Sequence, residues 1–114
     1  MPEKRTVPRK KVNMYMRVLN DDTQEIIGHI VEISQTGLRL ETVDPIRAGL
    51  DFYMRIEITP DLGSTPYIVF IARSKWCRMD EFQPNLFQVG FELVEIIPED
   101  RQVYLRIIQK YAGR

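Results

Sequence analysis

Short stretches in which apolar and polar side chains alternate, each cut off by turn-forming residues, constrain this chain more than any other feature. Alternation sends successive side chains to opposite faces of a strand and so builds sheets with one dry and one wet face. Leu38-Arg39-Leu40-Glu41-Thr42 and Phe87-Gln88-Val89-Gly90-Phe91-Glu92-Leu93 alternate cleanly, and residues 12–19 do so imperfectly. Phe52-Tyr53-Met54-Arg55-Ile56-Glu57-Ile58 is rich in β-favouring residues, and residues 67–77 form an apolar run that turns polar at Arg73-Ser74-Lys75. The punctuation comes from Asn20-Asp21-Asp22-Thr23, Ser34-Gln35-Thr36-Gly37, Asp44-Pro45 with Ala48-Gly49, the proline-bearing loop 60–66, and residues 80–85. Gly37 is read as free to adopt a positive φ in its turn. With residues 24–33 completing the set, the chain reads as six strands in a barrel or sandwich of mostly antiparallel neighbours.

The period changes at Pro98, which suits the first turn of a helix. Glu99 and Asp100 lie at the end where the helix dipole favours anions, and Lys110 and Arg114 lie at the end that favours cations. Val103, Tyr104, Ile107, Ile108 and Tyr111 fall on one stripe, which predicts an amphipathic helix over 98–114 packed on the sheet. At 114 residues and 44% hydrophobic, the chain supports one core and one domain. The expected divisions are a flexible basic arm over 1–11, a β-barrel over 12–97 and the terminal helix. No apolar run approaches the roughly 20 residues that span a bilayer, and no signal-peptide pattern opens the sequence, so a cytoplasmic chain without membrane insertion is expected.

Several chemistries are excluded early. One cysteine, Cys77, and one histidine, His29, do not make a disulfide framework or a four-ligand zinc site, so no metal is expected. Cys77 reads as a small hydrophobe and His29 as a partly exposed strand residue. With no nucleophile–base pair and no glycine-rich phosphate loop, no catalytic residues are assigned and an enzyme is not expected.

The net charge is zero, with 16 basic and 16 acidic residues, but its distribution is uneven. Lys4, Arg5, Arg9, Lys10 and Lys11 stand in the first eleven residues against Glu3 alone, so the remaining chain carries a net −4. A short cationic arm on an acidic body suits a small phosphorylated ligand better than a duplex, whose phosphates reward basic residues spread over a face. Arg5 and Arg9 supply planar, permanently charged forks for phosphate oxygens or for stacking on a base. Pro8 biases Val7 to an extended conformation, so their four-residue offset is not helical. Ser34 offers a hydroxyl. Glu32, on the same side of a continued strand, offers a carboxylate able to accept from the N1–H and exocyclic amine of guanine.

These two stretches resemble the motifs of the PilZ domain family. Arg5-Thr6-Val7-Pro8-Arg9 matches its RxxxR motif, and Glu32-Ile33-Ser34-Gln35-Thr36-Gly37 is similar to its (D/N)xSxxG motif, one hairpin downstream. Trp76 near a strand end, Val89-Gly90-Phe91 and the final amphipathic helix extend the likeness over nearly the whole chain. The resemblance implies a six-stranded antiparallel β-barrel with a C-terminal α-helix that binds the bacterial second messenger cyclic di-GMP. Arg5, Arg9, Ser34 and Gly37 would take the matching motif positions. Lys4, beside Arg5, and Trp76, at the polar end of its strand, are candidate further contacts, against a solvated lysine and a packing tryptophan. Glu32 departs from the pattern, being one methylene longer than Asp. Loss of that guanine contact would cost on the order of 1 to 3 kcal/mol.

Read as a sensor, the chain would order its N-terminal arm on the ligand and offer a reshaped surface to an unidentified protein partner. Two alternatives stand beside this reading. One is a PilZ-like adaptor acting through protein contacts without ligand, favoured by Glu32. The other is a small barrel that binds nucleic acid through its basic arm and aromatics, although direct DNA or RNA binding is not expected.

Overall fold

The inward side chains of the alternating stretches are the ones the fold buries. A computed structural model describes residues 10, 11 and 14–112. Its elements are β1 (Lys10–Lys11), β2 (Arg17–Asn20), β3 (Ile26–Ser34), β4 (Gly37–Thr42), β5 (Asp51–Glu57), β6 (Tyr67–Met79), β7 (Phe87–Glu95) and α1 (Pro98–Tyr111). Neighbours run in the order β3-β2-β5-β6-β7-β4, and β4 pairs back onto β3, which closes a six-stranded barrel. Every pairing among the described residues is antiparallel. The short β1 sits on β3 beyond the end of β2, with Lys10 opposite Ile33 and Lys11 opposite Glu32.

Val18, Ile33, Leu38, Leu40, Met54, Ile68, Val89 and Phe91 fill the interior and are fully buried. Each such side chain contributes about 1.5–3 kcal/mol relative to exposure, against about 0–1 kcal/mol for an exposed ion pair. Packing therefore holds the barrel, and the surface charges are available for other work. Cys77 packs partly buried against this core, and His29 is a half-exposed β3 residue.

Among the described residues the ladders shift register at four places, and two of these bulges set the outer face between β3 and β6. In β3, Ile30 lies opposite Leu40 and Glu32 opposite Arg39, so Val31 is an extra residue and Ile30 and Ile33 both face the core. In β6, Ser74 lies opposite Phe91 and Trp76 opposite Gly90, with Lys75 extra. A bulge re-aims the residues beyond it. Without these two, the phase set by Ile30 and Ser74 would point Glu32 and Trp76 into the barrel.

α1 starts at Pro98, with Glu99 and Asp100 in its first turn and Lys110 in its last. Val103, Tyr104 and Ile107 are buried, and the Tyr104 hydroxyl donates to the Ser34 carbonyl at 2.8 Å. The helix thereby closes the barrel end at the β3–β4 turn. No helix among the described residues is long and apolar enough to cross a membrane.

Candidate functional site

The polar turn between β3 and β4 is a tight hairpin, with Ser34 opposite Gly37 and Gln35-Thr36 at its tip. The Ser34 hydroxyl is consumed inside it, accepting from the Thr36 amide at 3.2 Å and donating to the Gly37 carbonyl at 3.4 Å. Ser34 is only 2% exposed, so it shapes the turn rather than facing solvent. Gly37 does not take a positive φ as expected from sequence; the described glycine that does is Gly49, at 91°. Gly37 is needed for a different reason: a Cβ there would run into the Phe91 carbonyl oxygen of neighbouring β7.

Glu32 faces outward, and its Oε2 lies 3.1 Å from Arg39 Nη2, directly across the β3–β4 ladder. Arg39 Nη1 donates to Gln88 Oε1 at 2.7 Å. Gln88 Nε2 in turn donates to Asp80 Oδ2 at 2.7 Å and to Glu41 Oε1 at 3.3 Å. The other oxygen of Asp80 accepts the amides of Phe82 and Gln83. Those two backbone donors, the Phe82 amide foremost, hold the Asp80 carboxyl below its ordinary value, with the Gln88 amide and the nearby Arg39 charge adding to the effect. Gln88 has one acceptor and one donor end, and each is claimed by a partner of opposite kind, so its orientation is fixed.

Next along the same row, Trp76 lies on Gly90, where any Cβ would collide with the indole. The Arg78 guanidinium stands 4.8 Å over the Trp76 ring. The outer surface thus presents, across four strands, a carboxylate, a guanidinium, a glycine-floored indole and a second guanidinium. That set can accept from a base edge, stack, and neutralise phosphate.

Sequence reasoning selected Glu32 and Trp76 but not Arg39, Gln88 or Asp80. The signal for Arg39 was present: in a two-residue turn closed by Ser34 and Gly37, register places position 39 opposite position 32. Arg5, Arg9 and Lys4 lie outside the described residues. The backbones of Lys10 and Lys11, where the arm meets the barrel, pair with Ile33 and Glu32.

A family model for the PilZ domain matches residues 3–110. The chain belongs to the PilZ domain family. No curated protein sequence matches this PilZ domain. Among solved structures it is similar to the PilZ domain of YcgR from Escherichia coli with c-di-GMP, at TM-score 0.69 and 15% identity over 96% of this chain and 92% of that one. It is similar to the K. pneumonia MrkH–c-di-GMP complex at TM-score 0.71 and 16% identity, covering 96% of this chain and 52% of MrkH. It also resembles the Bacillus subtilis inhibitor of motility MotI/DgrA, at TM-score 0.71 and 16% identity over 96% of this chain and 51% of that one. This PilZ domain therefore spans about half the length of MotI and of MrkH, and at these identities the likeness is one of fold.

Proposed function

We propose that this PilZ domain is a cyclic di-GMP receptor that signals by reshaping its surface for a protein partner. The observation that carries the reading is the pairing of Lys11 with Glu32, which joins the arginine-bearing arm to the barrel beside an outward carboxylate. Arg5 and Arg9 would grip the phosphates and stack on or bond to guanine, with Lys4 adding charge. The Glu32 carboxylate would accept from the guanine edge. Ser34 and Gly37 would hold the hairpin that presents it, and Trp76 would border the bound base. In the free protein the like charges of the arm repel one another; two ligand phosphates would remove that repulsion and let the arm order against the barrel. Membership of the family, and the ligand-bound YcgR and MrkH structures of the same fold, support the reading.

Isothermal calorimetry is expected to give saturable heat with cyclic di-GMP and a loss of at least about tenfold in affinity for Arg9→Ala. No heat, and no competition with a labelled cyclic dinucleotide, would reject the receptor reading. One observation favours a ligand-free adaptor instead: Arg39 already engages Glu32. The same titration decides between them.

A further inference from the structure

The barrel end away from α1 carries no helix among the described residues. There the start of β3, the end of β4, the start of β5 and the β6–β7 loop border a cleft of about 690 Å3. Ile27, Ile46, Phe52 and Leu86 line it, and Ile26 and Val43 stand at its lip, 56% and 72% exposed. A hollow of this size receives side chains rather than merely touching them. Branched apolar residues left in water at the lip of an apolar hollow mark a surface that another molecule completes.

The charge around the cleft selects among occupants. Glu25, Glu41 and Asp44 line it, and no Lys or Arg among the described residues does. Glu25 and Asp44 form no ion pair with another described residue. A phosphate-bearing ligand or an anionic lipid surface is repelled by three carboxylates, and a second copy presenting the same mouth would set carboxylates against carboxylates. A cationic partner gains where these lose. We propose that the open barrel mouth docks a segment of a partner protein that inserts apolar side chains flanked by Lys or Arg. The cleft lies toward the start of β3, whereas the Glu32 face lies toward its end, so this docking stands whether or not cyclic di-GMP binds.

The test uses the whole chain, isotopically labelled, and two synthetic amphipathic peptides of the same apolar spacing, one of Leu and Lys and one of Leu and Glu. The Leu/Lys peptide is expected to shift the methyl signals of Ile26, Ile27, Val43 and Ile46, and to bind at least about tenfold tighter than the Leu/Glu peptide. Glu25→Lys combined with Asp44→Lys is expected to remove about that tenfold preference. Val43→Asp separates docking from bulk charge attraction, since it adds a carboxylate while deleting a lip side chain. The proposal expects weaker binding, and stronger binding would overturn it. Equal binding of both peptides, or shifts scattered over the acidic surface, would also overturn it. So would sedimentation showing a dimer that Val43→Asp dissociates, because the occupant would then be a second copy. All three positions are exposed, and the amide spectrum of each variant checks that the fold persists.

Discussion

At Glu32 the carboxylate is held from one side, because Arg39 lies 3.1 Å from Oε2 and is itself fixed by the oriented amide of Gln88. The two side chains are only 22% and 17% exposed, so the pair is screened less than a surface salt bridge. This inverts the expectation that the extra methylene of Glu32 is a defect. The longer side chain is the one that reaches Arg39, and Asp at this position would withdraw from it. Glu32→Asp is therefore expected to weaken cyclic di-GMP binding about tenfold, the value of one charged hydrogen bond, rather than strengthen it. Arg39→Met should cost about 1–3 kcal/mol of stability by leaving the carboxylate without its partner. It should also erode the preference for cyclic di-GMP over cyclic di-AMP, since an unpinned carboxylate no longer faces the guanine donors. Calorimetry with both dinucleotides and a denaturant titration measure these effects; unchanged or tighter binding by Glu32→Asp would show that Arg39 does not position the carboxylate. Gly37 shows how far a single residue could be read. Its identity implied a backbone demand, but the demand is set by Phe91 on a strand 54 residues away, which local turn chemistry does not contain.

Among elements, α1 is fastened to the barrel by polar contacts as well as by its buried stripe. Lys110 pairs with Asp61, Arg106 donates to the Leu62 carbonyl at 2.7 Å, and Asp100 accepts the Val69 amide at 3.2 Å. Lys110, with the Thr59 hydroxyl second, holds the Asp61 carboxyl down to about 2. A depressed folded value means that the contribution is present above the ordinary carboxylate range of about 4 and is lost as pH falls through about 2. Asp61→Asn should therefore flatten the pH dependence of the melting temperature between about 4 and 2 and leave it unaltered near neutrality. An unchanged acid slope in thermal melts would show that the pair adds nothing to helix docking. The helix was legible from its period of 3.6, and the barrel strands from a period of 2 or, in β5 and β6, from β-favouring and apolar runs between turn residues. The bulges at Val31 and Lys75 were not, because one extra residue is defined only against the register of a neighbouring strand. For the same reason β1 was hidden: Lys10 and Lys11 carry no strand pattern and pair through their backbones. The face that gathers Glu32, Arg39, Gly90 and Trp76 depends on those bulges, so its members could be suspected singly but not assembled.

At the scale of the whole molecule, the Glu32 face and the open mouth are joined by a run of side-chain contacts. Glu32 meets Arg39, Arg39 meets Gln88, and Gln88 meets Glu41; Glu41 Oε2 lies 4.0 Å from His29 Nε2, and the His29 ring lies 4.7 Å from that of Tyr15. Glu41, His29 and Tyr15 all line the mouth. Contiguity alone does not transmit a signal; an element with two arrangements does. Gln88 is suited to that part, since a ligand that draws Arg39 Nη1 off its Oε1 leaves only Asp80 and Glu41 holding Nε2, and a shift toward Asp80, the shorter of those two contacts, releases Glu41. Cyclic di-GMP is then expected to move the ring signals of His29 and Tyr15, and to change the affinity of the Leu/Lys peptide within the roughly 5- to 150-fold range typical of coupled sites. Gln88→Leu keeps the ligand residues and removes the joint. Arg39 keeps its ion pair with Glu32 in this variant but loses its second anchor, so cyclic di-GMP affinity should fall by less than the roughly tenfold of Glu32→Asp, while the His29 and Tyr15 shifts disappear and the peptide no longer responds to the nucleotide. If the shifts persist in Gln88→Leu, the two ends communicate by another route, through the arm or through the barrel backbone. If they are absent from the unaltered chain while the nucleotide binds, the two surfaces act independently.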